Sequence, residues 1–374
     1  MTTSKVRVAL IYGGVSGEHS ISCITAGAVM SSIDPKRYDV LPIGIRRDGT
    51  WVLGETDPER LTMGDPMPEV GESSECVVFP AGDGTQPLLA VTYREDGSVE
   101  SARSLGKVDV VFPLLHGPFG EDGTIQGMLE MANVPYVGCG VFASAAGMDK
   151  HFMKILLESA GIPVSRYVAV TASQWKRDPR AVRAAVAELV LPLYVKPARA
   201  GSSLGISRVE SLEQLDQAVE TAHKFDPKVL IEESIDGREV ECGVLGGHGI
   251  DVPRASWPGQ IVLSGPAEFY DFEHKYLDTA ALTLQIPAEI GEAATQIVRE
   301  TSVRAFEAFG CEGLTRVDCF VTPQGEVLVN EINTMPGFTP FSMYPALWEK
   351  SGLSYTELVD ELISLALERG TGLH

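Results

Sequence analysis

Two apolar runs near the end of the chain, LTRVDCFV at 314–321 and EVLVNEIN at 326–333, flank the short segment Thr322-Pro-Gln-Gly325. Runs rich in Val and Leu that meet at a Pro/Gly turn predict a hairpin, and side chains two apart on a strand share a face. One sheet face is therefore expected to carry Arg316, Asp318, Glu331 and Asn333. Asp, Glu and Asn offer hard oxygen ligands, the kind Mg²⁺ takes when it also holds substrate phosphates and keeps some of its waters. A solvated face with cross-strand charge pairing is the plain structural alternative.

The chain is long enough for more than one core. At 374 residues it exceeds the size at which a single hydrophobic core stops growing, so two or three domains are expected. With 44% hydrophobic and 22% charged residues, it has the composition of a folded globular protein. A formal net charge of -21 argues against nucleic acid and anionic membrane surfaces as partners, because both are bound through Lys/Arg patches. An anionic substrate would then need a local set of cations. The six cysteines show no Cys-x-x-Cys and no Cys/His zinc spacing, which predicts free buried thiols in a reducing compartment. No apolar run reaches membrane-spanning length, and the N-terminal VRVALIYGG is too short and runs into Gly-Gly, as a first strand entering a loop does. A cytoplasmic protein is expected.

VRVALIYGG followed by SGEHSISCITAGAVMSSI reads as strand, glycine turn and helix, with Ser16 a candidate N-cap. YDVLPIGI and KVDVVFPLLHG read as further strands, and the alternation points to a parallel sheet flanked by helices. The stretch from Gly54 to Ser104, rich in Pro, Gly and Glu, reads as an insertion with one hairpin. MDKHFMKILLESAGIPV has helical apolar spacing and a Gly-Ile-Pro stop. A small α+β unit follows, with LPLYVKPARAGSSLGISRV as two strands around a glycine/serine loop and a helix over 211–223. A third unit starts with VLIEESIDGREVECGVLGG and ends in the hairpin and the helix TELVDELISLALERG.

Several loops between these elements carry candidate chemistry. Gly13-Gly14-Val-Ser-Gly17 lacks the full Gly-x-Gly-x-x-Gly and the acidic residue about 20 positions on, so a nicotinamide site is disfavoured. Glu18 and His19 sit at the carboxyl end of the first strand, where open α/β sheets place ligands; Glu18 also suits a helix N-terminus as an ordinary acid. His116-Gly-Pro-Phe-Gly-Glu-Asp-Gly123 ends a second strand, either as a close-approach ligand loop or as a turn with Glu121 and Asp122 capping the next helix. Lys196 followed by Pro-Ala-Arg-Ala-Gly-Ser-Ser-Leu-Gly205 suits a phosphate cradle, while a hairpin tip is the alternative. Lys150 in Met-Asp-Lys reads more simply as a solvated helix lysine. Glu232-Glu233-Ser-Ile235 with Glu239 suits purine and ribose recognition or a solvated acidic turn, and SGPAEFYDFEHKY at 264–276 suits a lid or a surface loop.

In this order, GGVSGEHS, HGPFGEDGTIQG, MDK, VKPARAGSSLGI, VLIEESIDGREV, FYDFEHKY, TRVDCF and NEINTMPGFTPFS closely resemble the D-alanine:D-alanine ligases of the ATP-grasp superfamily. The likeness spans nearly the whole chain except 55–104. It implies an α/β and α+β multidomain protein: an N-terminal parallel α/β substrate domain over 1–140, then a two-part ATP-grasp fold with a central domain over 141–229 and a catalytic domain over 230–374. It implies ATP as cosubstrate, two Mg²⁺ ions with Mn²⁺ as a substitute, a homodimer, and synthesis of D-alanyl-D-alanine for peptidoglycan. Carried over by position, Lys150 and Lys196 contact ATP phosphates under the loop of Ser202 and Ser203, and Lys275 also reaches the nucleotide. Glu232, Glu233, Ile235 and Glu239 serve adenine and ribose, and Asp318, Glu331 and Asn333 hold metal. Glu18 receives the first D-alanine's ammonium with His116 nearby; Ser342 and Lys275 hold the second one's carboxylate. Arg316 and the Gly337 N–H form the oxyanion site, and Tyr276 links through Ser202 to Glu18.

In the family that the chain resembles, relatives that make D-alanyl-D-lactate usually lack a tyrosine at the position of Tyr276, so the resemblance implies an amine as second substrate, with D-serine still open, whereas Ala200 departs from the polar or acidic residue many members carry there. The rivals are a different ATP-grasp carboxylate–amine ligase, disfavoured by the GGVSGEHS and HGPFGEDG loops, and a non-catalytic nucleotide-binding regulator. The latter sits poorly with an intact set of Arg316, Asp318, Glu331 and Asn333.

Overall fold

The computed structural model describes residues 5–201, 204–263 and 282–372. Strand β1 (Val6–Gly13) is buried from Val8 onward, and helix α1 (His19–Ser32) follows it across the glycine turn. Gly13 has φ +91°, and a Cβ there would stand 2.3 Å from the Ile45 carbonyl oxygen, so only glycine lets the chain turn this close to its neighbour. Strands β2 (Tyr38–Ile45) and β3 (Trp51–Leu53) come next. A 3-10 turn (Pro58–Leu61) then leads to β4 (Glu75–Val78), β5 (Leu88–Tyr93) and β6 (Val99–Gly106), which form their own antiparallel sheet. The stretch expected to hold one hairpin therefore holds three paired strands. β6 is VESARSLG and exposed over most of its length, so it lacks the apolar alternation that announces a strand.

Strand β7 (Val110–Pro113) returns beside β1, giving the order β3-β2-β1-β7 with β1 parallel to both β2 and β7 and an antiparallel edge at β3. Helices α2 (Thr124–Ala132), α3 (Val141–Gly147) and α4 (Lys150–Ser159) then carry the chain to a second sheet. That sheet has the order β10-β9-β11-β8, built from β8 (Tyr167–Thr171), β9 (Leu193–Pro197), β10 (Ser207–Val209) and β11 (Lys228–Glu233), all antiparallel. Helices α5 (Ala172–Arg177), α6 (Pro179–Val186) and α7 (Leu215–Ala222) belong to it, and Val186, Leu215 and Val219 join its core.

The third sheet is antiparallel with the order β13-β12-β16-β17, from β12 (Arg238–Leu245), β13 (Arg254–Ala255), β16 (Leu314–Val321) and β17 (Val327–Asn333). A separate pair, β14 (Gln260–Leu263) and β15 (Leu282–Gln285), flanks the undescribed 264–281. Val317, Cys319 and Val321 face an apolar core shared with Val298, Ala305 and Phe306 of the helix Glu292–Ala308. By alternation Arg316 and Asp318 face the other way. The predicted hairpin is present, closed by Gly325 N–H donating to Thr322 O at 2.9 Å.

The C-terminal helix (Tyr355–Arg369) starts with a capping box between Ser354 and Glu357. It packs beside α1 and β7: Leu358, Leu362 and Ile363 share one core with Val8, Leu10, Val110 and Phe112. All six cysteines are free and five are buried, as composition suggested. Among the described residues no helix is long and apolar enough to cross a membrane.

Candidate active site

Strand register builds the site. Across β12, β16 and β17, Glu241 stands opposite Asp318 and Asp318 opposite Glu331; one step along, Gly243, Arg316 and Asn333 form the next row. The register shifts between Asp318 and Cys319, an irregularity of the kind that re-aims side chains beside functional sites. Arg316 is 7% exposed, and its Nε and Nη2 donate to the two Asp318 oxygens at 2.7 Å each. Its Nε also lies 2.7 Å from a Glu241 oxygen, and Asn333 Nδ2 donates to Asp318 at 3.0 Å. Burial pushes the Asp318 carboxyl up to about 7 with Glu241 and Glu331 adding to the rise, although the Arg316 guanidinium opposes it. Glu331 is pulled down to about 2, mainly by Lys150, whose Nζ sits 3.2 Å away. Each of the two carboxyls thus has its own cation, Arg316 at Asp318 and Lys150 at Glu331.

A cleft of about 500 Å³ opens over this face. Its far wall is made by the loops after β1 and β7, with Glu18, His116 and Gly117, and its floor by Lys150, Arg316, Glu331, Asn333 and Gly337. Gly117 has φ +73°, and a Cβ there would come within 3.5 Å of a Glu18 oxygen, so the two loops touch. His116 is buried, with Nδ1 3.4 Å from Glu121. Burial lowers its pKa, but Glu121 and then Glu18 outweigh it and the net shift is upward. Glu121 also accepts from Gly117 N–H at 3.0 Å, so it shapes the loop, while Asp122 accepts from Thr124 N–H at 3.0 Å. His19 turns away: its Nδ1 donates to Gly14 O at 2.6 Å and its Nε2 accepts from Val70 N–H at 3.1 Å. Ser16 does not cap α1, whose N-cap is Glu18; its hydroxyl accepts from Glu18 N–H instead.

Lys150 is not the solvated lysine its sequence suggests. It starts α4, is only 16% exposed at the side chain, and bonds Glu331 and the Ala200 carbonyl. Lys196 and Glu232 lie on one face of the second sheet and are ion-paired, and Lys154 Nζ reaches the other Glu232 oxygen at 3.0 Å. Burial raises the Glu232 carboxyl, yet the two ammoniums prevail and hold it at about 2. Glu233 points to the opposite face, where Arg166 and the Val190 N–H take its carboxylate. Its side chain is therefore committed elsewhere. Lys196, Glu232, Ile235 and Glu239 do not line the cleft over Arg316. Ser342 caps the helix Met343–Lys350 by position, accepts from Thr339 N–H at 3.2 Å, and also lies outside the cleft lining. Ser202, Ser203, Lys275 and Tyr276 lie outside the described residues.

Sequence reasoning missed Lys154 and Glu241. Lys154 sits one helical turn after Lys150 among the buried positions Met153 and Leu157, so a lysine on an apolar stripe was the available signal. Glu241 is two residues from Glu239 on the same strand face. Among the described residues no group of three His, Cys, Asp or Glu side chains is arranged as a ready metal cage. The hard oxygens of Asp318, Glu331 and Asn333 nevertheless fit Mg²⁺, which takes few protein ligands when phosphates and waters complete its shell.

Residues 7–139 match the family described as D-ala D-ala ligase N-terminus, and residues 156–364 match D-ala D-ala ligase C-terminus. A D-alanine--D-alanine ligase of Pseudarthrobacter chlorophenolicus is 55% identical over 371 residues, covering 99% of this chain and 96% of that protein. One of Arthrobacter sp. is 53% identical, with 99% and 96% covered. The crystal structure of the VanG D-Ala:D-Ser ligase from Enterococcus faecalis superposes with a TM-score of 0.82 at 36% identity, covering 97% of this chain and all of that one. The D-alanine-D-alanine ligase from Coxiella burnetii gives 0.79 at 33% identity, with 98% and 95% covered. With a cleft that gathers its amino-terminal loops over a charged antiparallel sheet, and with likeness to these ligases along nearly its full length, the chain belongs to the D-alanine–D-alanine ligase family.

Proposed function

We infer that the protein joins two D-alanine molecules into D-alanyl-D-alanine, a peptidoglycan precursor, in an ATP-dependent reaction. The observation that carries this reading is the single cleft in which Glu18 and His116 face Arg316, Glu331, Asn333 and Gly337. One wall suits an ammonium and the other a set of anionic oxygens.

A carboxylate is a poor electrophile. The first D-alanine, its ammonium against Glu18, attacks the γ-phosphorus through a carboxylate oxygen; the bond to ADP breaks and an acyl phosphate forms. Lys150 and Lys196 offset charge on the phosphates. Asp318, Glu331 and Asn333 would hold divalent metal, Mg²⁺ by their hard oxygens, which supplies further charge neutralisation when bound. The second D-alanine's amine attacks the acyl carbonyl, and the Arg316 guanidinium with the Gly337 N–H stabilises the tetrahedral oxyanion. The C–O bond to phosphate then breaks, the amine proton is lost, and dipeptide, ADP and phosphate are released. Ser342 holding the second carboxylate, and contacts of Glu232, Ile235 and Glu239 with adenine and ribose, complete the reading; Glu233 would contribute backbone only. We assign the units as 1–140, 141–229 and 230–374, in a cytoplasmic homodimer. Sedimentation would test the dimer.

Phosphate release from MgATP with D-alanine, D-serine or D-alanine plus D-lactate, with products identified by mass, tests the function. D-Alanyl-D-alanine from D-alanine alone is expected. Preference for D-serine as the second substrate would shift the specificity, and no phosphate in ATP-binding protein would overturn the reading.

A further inference from the structure

Helix α4 presents two lysines one turn apart on one face, and they serve different sheets. Lys150 reaches Glu331 on the third sheet, whereas Lys154 reaches Glu232 on the second. Lys154 is 1% exposed and lines no part of the cleft. Its ammonium donates to Ser165 Oγ at 2.8 Å, meets Glu232 at 3.0 Å and stands 5.5 Å over the Tyr167 ring. Ser165 Oγ itself donates to the same Glu232 oxygen at 3.3 Å, and Lys196 takes the other one. Each oxygen of one buried carboxylate thus has its own ammonium.

A buried carboxylate needs one such partner to stay ionised, and a second buried ammonium is costly. The duplication makes sense if one of the two must leave. We propose that Lys154 is a positioning residue that keeps Glu232 neutralised and oriented while Lys196 is released to engage the nucleotide phosphates. This rests on the reading of Lys196 as a phosphate ligand. With Lys154 and Ser165 on one oxygen, withdrawal of Lys196 leaves Glu232 paired. Without Lys154, Lys196 is the sole direct counter-charge of Glu232 among the described residues, and carboxylate and phosphate compete for it.

The test is MgATP affinity by calorimetric titration. Lys154→Met is expected to weaken MgATP by roughly tenfold to a hundredfold, while turnover at saturating ATP falls far less. Lys154→Arg, which keeps the charge, should restore part of the affinity. Introduced into Glu232→Gln, where no counter-charge is needed, Lys154→Met should add less than about a twofold loss. Affinity unchanged in Lys154→Met, or an equal loss in both backgrounds, overturns the proposal, because a merely structural lysine would lower stability alike in each. If Lys154→Met does not fold, Ser165→Ala decides: a smaller weakening is expected, and unchanged affinity overturns the proposal. Lys196→Met separates the two levels. If it leaves MgATP affinity intact, the phosphate role of Lys196 fails; if it weakens binding and Lys154→Met does not, only the positioning role fails.

Discussion

Arg316 carries one guanidinium that both Asp318 oxygens and Glu241 already engage, so its position is fixed before any substrate arrives. A donor preorganised in this way, if it meets the oxyanion as proposed, is worth roughly two to three orders of magnitude in turnover. Arg316→Ala should therefore lose roughly that factor in phosphate release at saturating ATP and D-alanine. Arg316→Lys should also be impaired, because an ammonium cannot reproduce the fork that meets Asp318. Near-normal turnover in either variant would remove Arg316 from the mechanism. Glu232 supports a second expectation, about pH. Its carboxyl is held at about 2 against an ordinary 4.5 by Lys196 and Lys154, so ionisation favours the folded state. The contribution, on the order of 3 kcal/mol, is fully present above pH 4.5 and lost as pH falls toward 2. Urea midpoints of the protein and of Glu232→Gln should differ most near pH 7 and converge as pH falls toward 2; a constant difference would mean that the ion pairs are not the source.

At the scale of elements, α4 links Glu232 of the second sheet, through Lys154, to Glu331 of the third, through Lys150, and its start is set by Asp149. That N-cap accepts from His151 N–H at 3.1 Å and Phe152 N–H at 3.3 Å, and it is ion-paired with Lys228. Asp149→Ala should cost about 1 to 2 kcal/mol in a denaturant titration. It should also raise the KM for ATP more than it lowers kcat, since Lys150 is the first residue of the helix it caps. Loss of stability with an unchanged KM would show that the cap does not position Lys150. The same elements show what a sequence can disclose. The Arg316/Asp318/Glu331/Asn333 face was legible because period-two alternation and a Pro/Gly turn fix a hairpin and its faces locally. Lys154 was not, because a lysine inside an apolar stripe gains its meaning only from Ser165 and Glu232 on other elements. Of the sheet of β4, β5 and β6, expected as one hairpin, the third strand was missed for a different reason: β6 meets solvent along most of its length and carries no burial pattern to read.

At the scale of the molecule, the joining of the chain's two ends is what no local pattern announces. The C-terminal helix reads as amphipathic, but its partner lies hundreds of residues away: Leu358, Leu362 and Ile363 complete the core of the first sheet with Val8, Leu10 and Phe112. Polar contacts fix both ends of the seam. Asp360 takes Arg37 and Tyr38, and Arg369 donates to the carbonyls of Tyr136 at 2.8 Å and Gly138 at 2.7 Å while pairing with Glu312. The same core takes in Leu314, at the start of the strand that bears Arg316, and Phe338, just after Gly337. The wall of the cleft that holds Glu18 and His116 is thereby fixed to the floor that holds Arg316. Leu362 is fully buried in this seam, and Leu362→Ala should cost about 2 to 5 kcal/mol. Because the core is shared, amide exchange should accelerate together in β1 and in the C-terminal helix, while the second sheet, with its own separate core, is affected less. Exchange that rises only in the C-terminal helix would mean that the two ends of the chain open independently, and that this seam does not join the wall of the cleft to its floor.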